Sequence, residues 1–266
     1  MHRLTSLSTC IFLLLLLAPA SSQTLTPLKE FDVKEAKQAV AVDAQYFFVI
    51  NNSTITKHSK TDGKLLASWD GTKEGIVHLN SGVVIKGLLY CANSNYPEIP
   101  MTSSVEIFDA KTLKHVDTHS FGIAQHGSLT WLDQKDGYWF IGFAHYAGKE
   151  SSEGRDVRWT SLVKYDMAWR QVEAWVFPKH LVDLFTPKSN SGGAWSKDGL
   201  LYCTGHDRGE VYVLKLPNSG YTLTHLRSLP APIEGQGIAI DRSVAGKTLL
   251  YGIQRSKHIV TVSEIQ

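Results

Sequence analysis

The chain has 266 residues, 43% of them apolar and 20% charged, and its 27 Lys and Arg stand against 25 Asp and Glu for a formal net charge of +2. That balance excludes the low-hydrophobicity, high-charge composition of disordered chains. It also offers no charge excess for a nucleic acid or an anionic membrane surface, so any partner has to be recognised at a local site.

At the start of the chain, His2 and Arg3 precede the apolar run Cys10 to Leu17 and the triplet Ala18-Pro19-Ala20. A basic start, a short apolar run and a small-x-small triplet form the pattern of a secretory signal peptide. Residues 1–20 are therefore expected to be removed, leaving 21–266 as a single secreted or periplasmic domain. The apolar run is shorter than the roughly 20 residues of a spanning helix. No membrane association is expected after cleavage, and no cysteine follows the cleavage point to carry a lipid.

Past the leader, the segment Leu25 to Val33 reads as one isolated strand, and the sequence then repeats itself. Four short β-type runs separated by turn residues fill Glu35 to Gly71. The same order returns over His78 to Phe121, from His126, from Asn190 and from Gln236, where the last copy stops after three runs. Four antiparallel strands recurring every 40–50 residues or so are the mark of propeller blades. The pattern predicts an all-β, five-bladed β-propeller with four antiparallel strands per blade. The strand missing from the last copy is supplied by Leu25 to Val33, which closes the ring. A β-sandwich with a helical insert is the competing architecture. Two stretches break the pattern: Ala147 to Arg158, a charged loop, and Pro178 to Lys188, where HLVDLF suits a short helix.

Two cysteines remain in the mature chain, Cys91 and Cys203, on second strands of the second and fourth copies. A whole blade between them puts a disulfide out of reach, so both are expected as buried free thiols. Trp131 and Trp195 occupy matching first-strand positions and read as core. Trp139, Trp159, Trp169 and Trp175 crowd the third copy, where an exposed member could stack on a ligand. Asn51-Asn52-Ser53-Thr54 holds two overlapping N-glycosylation sequons, meaningful only in a eukaryotic source.

In a propeller, the lead-in to each first strand and the loop after each second strand share one face around the channel. Aligning the copies puts Asn80, His126 and Asn190 in the lead-ins, with Glu234 and Gln236 in the fifth copy and His78 close to Asn80. The second-strand ends bring Asn52, Asn95, His145, His206 and Arg255, with Tyr96, Tyr146 and Asp207 beside them. Polar side chains converging on a channel mouth are a default binding-site hypothesis, with a small molecule or carbohydrate as ligand. Three chemistries suit this ring. The imidazoles of His78, His126, His145 and His206 could hold Zn²⁺ or another transition metal. Glu234, Asn80 and Asn190 could form an all-oxygen Ca²⁺ site, with His126, His145 or His206 moving a proton. Without a metal, a His with Arg255 could stabilise an anionic intermediate.

The repeat pattern, and especially NSGGAWSKDGLLYCTGHD and EGQGIAID, resembles secreted β-propellers of the broad SMP-30, gluconolactonase and cycloisomerase-like group. That resemblance implies a divalent cation on the axis, held by one Glu and by Asn or Asp ligands, which carries over onto Glu234, Asn80 and Asn190. It departs in blade number, since those lactonases have six blades and this chain counts five. The reading is metal-assisted hydrolysis or isomerisation of a small lactone or carbohydrate-derived substrate. Catalysis is assigned to His126, His145, His206 and Arg255, and substrate binding to His78, Asn95, Tyr96, Tyr146, Asp207 and Gln236. Ca²⁺ is the favoured ion, no organic cofactor is expected, and the protein is expected to be a monomer. Three alternatives remain: a non-catalytic carbohydrate-binding propeller, a metal-free polysaccharide lyase using His and Tyr with Arg255 on a uronate, and a glycosidase using Glu234 and Asp207. The rim residues differ from blade to blade, which favours one axial site over repeated lectin sites.

Overall fold

A computed structural model describes residues 23–123 and 125–266. The expected signal peptide, 1–20, lies outside them. Twenty strands form five separate four-stranded antiparallel sheets. The first strand, β1 (Leu25–Asp32), belongs to the last sheet. Blade I is β2 (Ala39–Val42), β3 (Tyr46–Asn51), β4 (Thr54–Ser59) and β5 (Leu65–Asp70). Blade II is β6 (Leu79–Ile85), β7 (Leu88–Ser94), β8 (Thr102–Asp109) and β9 (His115–Ile123). Blade III is β10 (Ser128–Lys135), β11 (Tyr138–Ala144), β12 (Ser161–Tyr165) and β13 (Gln171–Val176). A short helix, α1 (Lys179–Phe185), follows at the HLVDLF segment. Blade IV is β14 (Gly192–Trp195), β15 (Leu201–Thr204), β16 (Glu210–Lys215) and β17 (Thr224–Pro230). Blade V is β18 (Ala239–Asp241), β19 (Leu249–Gln254) and β20 (Ile259–Ile265), completed by β1, which pairs antiparallel with β20 from Leu25↔Ile265 to Asp32↔Ile259. The chain is a five-bladed β-propeller closed by its N-terminal strand, as the repeats predicted.

The pattern of burial follows from the architecture. Each blade is covered on both faces by its neighbours, so inner strands such as β3, YFFVIN, can be apolar at consecutive positions, and Phe47 to Ile50 are all fully buried. The outermost strands are covered less and are largely exposed, as in β9 and β13. Among the described residues, five of six apolar clusters fill the seams in turn, and the sixth, Met101, Ala144 and Tyr146, is small. Phe31, Phe47 and Tyr251 lie between V and I, Phe48, Leu79 and Phe108 between I and II, and Leu129, Ile141 and Val163 between II and III. Trp131, Trp195 and Tyr212 join III to IV, and Tyr202, Val211 and Leu250 join IV to V.

Trp131 is the tightest element. Its indole is fully buried between the backbones of Gly142 and Gly193, where an added Cβ would come within 2.1 and 2.4 Å of the ring. Only glycine permits that approach. Cys91 and Cys203 are free and fully buried, on β7 and β15. Burial drives both thiols well above their ordinary titration range, so they behave as small core side chains.

Two first strands carry a bulge next to the channel: pairing jumps from Leu79 to Ser81 in β6 and from Leu129 to Trp131 in β10. Each leaves one residue, Asn80 or Thr130, out of the ladder.

Candidate functional site

One mouth of the channel is a cavity of about 410 Å³, to which every blade lead-in contributes one polar side chain: Gln38, Asn80, Thr130, Ser191 and Gln236. Asn52, Tyr96, Tyr146 and His206 join the wall from the ends and loops of the second strands, and His78 from one residue before β6, with Val77 and Pro97 beside them. Of the residues expected from the sequence, the structure brings together His78, Asn80, Tyr96, Tyr146, His206 and Gln236, with Asp207 directly behind His206.

His206 follows β15, and its Nδ1 lies 2.8 Å from Asp207 Oδ1. A carboxylate only accepts, so Nδ1 carries the ring proton, and Nε2 is left as a bare acceptor with no hydrogen bond among the described residues. Burial holds this imidazole below its ordinary pKa, and Asp207 opposes that effect. Arg255, after β19, donates to the same Oδ1 of Asp207. Burial works against the charge on Asp207, but His206 and Arg255 together outweigh it and hold the carboxyl below its usual range. The result is a fixed chain of Arg255, Asp207 and His206 ending at the cavity. Arg255 is consequently engaged by Asp207, and the expected role of neutralising a substrate anion does not fit it.

His78 sits across the opening with Nδ1 2.9 Å from Asn52 Oδ1, so this ring too presents Nε2. Burial pushes its pKa down to about 4, against a smaller opposing contribution from Asn80, and it is neutral at physiological pH. Tyr96 packs against His78 and Tyr146 with ring centroids 5.1 and 4.8 Å away. The Tyr96 hydroxyl accepts from Lys188 Nζ at 2.8 Å, and Lys188 also pairs with Glu150 at 3.3 Å. That contact with Tyr96 is the main reason the Lys188 ammonium is held above its ordinary pKa. Burial raises the Tyr146 phenol, which stays protonated. The Oε1 atoms of Gln38 and Gln236 make no hydrogen bond among the described residues, whereas their Nε2 atoms are tied to Asn80 Oδ1 and the His206 carbonyl. The cavity thus offers two imidazole nitrogens and two amide oxygens to a hydroxylated ligand, with the Tyr96 ring on one side and Lys188 and Glu150 behind its hydroxyl.

The remaining expected residues lie elsewhere. His126 is in the turn before β10, its Nε2 2.8 Å from Gln171 on the outermost strand of blade III, because the bulge in β10 gives the channel position to Thr130, four residues later. His145 is buried one residue before Tyr146 and lines a second cavity further out. Asn95 clamps its own loop, donating to the Pro100 carbonyl and accepting from the Thr102 amide. Asn190 is 1% exposed: its Oδ1 accepts from Trp131 Nε1–H, and its Nδ2 donates to the carbonyls of Gly192 at 2.9 Å and Thr204 at 2.8 Å. Glu234 accepts from the backbone and the hydroxyl of Ser256, which hold it below its ordinary pKa.

The resemblance implies an axial cation on Glu234, Asn80 and Asn190, and these donors do not fit it. Asn190 Oδ1 is taken by Trp131, Asn80 Oδ1 accepts from Gln38 at 3.1 Å, and both Glu234 oxygens bind Ser256. Nor do three His, Cys, Asp or Glu side chains meet at one point among the described residues, so the four-imidazole site is not assembled either.

Gln38, Thr130, Ser191 and Lys188 were missed by sequence reasoning. For the first three the signal is register, one residue before or inside each first strand. For Lys188 there is none, because it comes from the loop after α1.

No family model matches the chain, and no curated protein matches it in sequence. Among solved structures it superposes on a glutaminyl cyclase from Myxococcus xanthus with a TM-score of 0.59 at 13% identity, over 92% of this chain and 96% of that one. A PQQ-bound aldose sugar dehydrogenase from Streptomyces coelicolor gives 0.54 at 10% identity, covering 94% and 100%. A luciferin-regenerating enzyme gives 0.51 at 8% identity, covering 92% and 95%. All three are β-propellers, and at these identities the shared property is the fold.

Proposed function

We propose that the chain is an acid–base enzyme that isomerises or opens a small lactone or other carbohydrate-derived substrate in the axial cavity. The observation that carries this reading is the Asp207-backed His206 in the wall of that cavity, 2.8 Å apart. A neutral imidazole whose other nitrogen is held by a carboxylate is built to take a proton, because the imidazolium it becomes is stabilised by the charge behind it. Arg255 keeps Asp207 ionised and aimed. His78 Nε2 and the Gln38 and Gln236 oxygens accept substrate hydroxyls, and the Tyr96 ring, its hydroxyl held by Lys188 and Glu150, forms one side of the pocket. Moving a proton between two positions of one substrate, or adding one water across the acyl–oxygen bond of a lactone, changes no oxidation state, so neither reaction calls for a redox partner.

The test is turnover of a panel of aldonolactones and sugar acids by the full chain, followed by NMR in D₂O to detect proton exchange. His206→Gln and Asp207→Asn should lower kcat by about 10²-fold or more, the usual worth of a positioned acid–base group, while thermal unfolding stays near that of the parent. Turnover should persist in a chelator. Full activity of His206→Gln, or loss of activity in the chelator, overturns the reading. Saturable binding without turnover makes the protein a ligand-binding propeller instead, a reading consistent with the tyrosine wall.

A further inference from the structure

Outside the axial cavity, the loop joining β11 to β12 is the longest connection between second and third strands in the propeller, running from His145 to Thr160 where blade I needs two residues. It is a fixed structure. Val157 is buried in the same cluster as Leu181 and Phe185 of α1, Thr160 Oγ1 lies 2.6 Å from Ser189 Oγ, and the Ala147 amide donates to the Pro187 carbonyl. Yet this pinned loop leaves Trp159 53% exposed. Facing the same cavity of about 330 Å³ is Tyr221, 73% exposed, whose carbonyl accepts from the Val176 amide on β13. Two aromatic faces are thus held in water by rigid backbone, against the usual preference for burying such surface.

The same cavity is lined by Arg155, whose guanidinium lies over the Trp159 ring, 5.3 Å from its centroid, and no carboxylate among the described residues forms an ion pair with it. Its hydrogen bond goes to the Gln125 carbonyl. Arg158, the other cation on the rim, is already paired with Asp156. The wall also holds His145, 2% exposed, whose Nδ1 has no hydrogen-bond partner among the described residues. A stranded buried nitrogen is costly unless something reaches it. Two exposed aromatic rings with a guanidinium free of any ion pair and a buried imidazole, all lining one cavity, form a site for a carboxylate borne on a ring.

We propose that this outer cavity binds a ring carboxylate, with the carboxylate on Arg155 and the ring face against Trp159 or Tyr221. Two sources share that chemistry: the uronic acid residue of an acidic saccharide, and an aromatic carboxylate. The site is independent of the reaction proposed for the axial cavity.

The experiment is a titration of the full chain, followed by tryptophan fluorescence and calorimetry, with glucuronate, a galacturonate trimer, benzoate and neutral glucose as probes. Saturable quenching by a ring carboxylate is expected, with glucose at least about tenfold weaker. Uronate binding without benzoate binding assigns the saccharide, and the converse assigns the aromatic acid. Arg155→Gln should weaken the acid about tenfold or more and leave the glucose response unchanged. Trp159→Ala should remove most of the fluorescence change, and Tyr221→Ser should weaken binding in a second segment, which guards against local misfolding of the loop. His206→Gln should bind the acid as the parent does, so failure at the axial cavity and failure here are read separately. Equal binding of acid and neutral sugar, no saturable response to any ring carboxylate, or undiminished binding by Arg155→Gln would each overturn the proposal.

Discussion

Replacing Asn190 with alanine and with aspartate tests whether this side chain is a brace or a cation ligand. As a brace it makes three buried hydrogen bonds, to Trp131 Nε1 and to the carbonyls of Gly192 and Thr204. Alanine strands the indole N–H in the core at a cost of about 1–3 kcal/mol, and each lost bond to a carbonyl adds roughly 0.5–1.5 kcal/mol. The indole cannot turn to find another acceptor, because Gly142 and Gly193 grip it from two sides. We therefore expect a loss of about 3–4 kcal/mol, and at about 2–4 °C per kcal/mol for a domain of this size the midpoint should fall by about 10 °C. Aspartate keeps the acceptor for Trp131 but sets a second carboxylate oxygen against two carbonyl oxygens, so at neutral pH it should be at least as damaging as alanine. A cation ligand behaves oppositely: aspartate would strengthen the site, and added Ca²⁺ would raise the midpoint. Differential scanning calorimetry of the three proteins, each with Ca²⁺ and with chelator, decides between them. An aspartate variant as stable as the parent, or stabilised by Ca²⁺, refutes the assignment.

Acid sensitivity follows from the buried imidazoles. His78 and His145 titrate near 4 in the folded chain against an ordinary value of 6.5, so between those values the unfolded chain binds more protons. Their contribution to stability is complete above pH 6.5 and is lost as the pH falls towards 4; a midpoint that stays level over that interval, in urea titrations at each pH, would contradict it. Gly142→Ala should destabilise by about 2 kcal/mol or more through overpacking against Trp131, measured by urea unfolding. Cys91 and Cys203 should resist a thiol reagent in the native protein and both react in denaturant, and rapid native labelling of either would contradict their burial.

How much of this could be read from the chain differs between fold and site. Blade number, ring closure by Leu25 to Val33 and the α1 segment were all legible, because each blade buries both faces in the same way and so repeats the same apolar runs. Tyr96, Tyr146 and His206 were found because second strands end at matching places. The lead-ins were harder. A one-residue bulge in β6 and another in β10 decide which side chain meets the channel, and no residue type announces a bulge. An alignment that matched His126 to Asn80 therefore missed Thr130 by four positions. Asn190 was misassigned for another reason: its partner Trp131 comes from the preceding blade, and polar residues at a rim look alike in sequence whether they face a ligand or an indole.

The pairing of β1 with β20 also orders events in time. The first strand described leaves the ribosome well before the strand it must pair with, and its eight residues have no place to dock until Ile259–Ile265 have been made. Blades I to IV can assemble while the chain grows, but the circle stays open until β20 has been made. At the edge of that seam Thr24 and Gln266 lie side by side, exchanging backbone hydrogen bonds of 3.1 and 3.0 Å, so the backbone could be joined between them and cut at an exposed hairpin elsewhere. Such a rearranged chain would carry the closing seam within one continuous stretch, so that β1 and β20 would be made together.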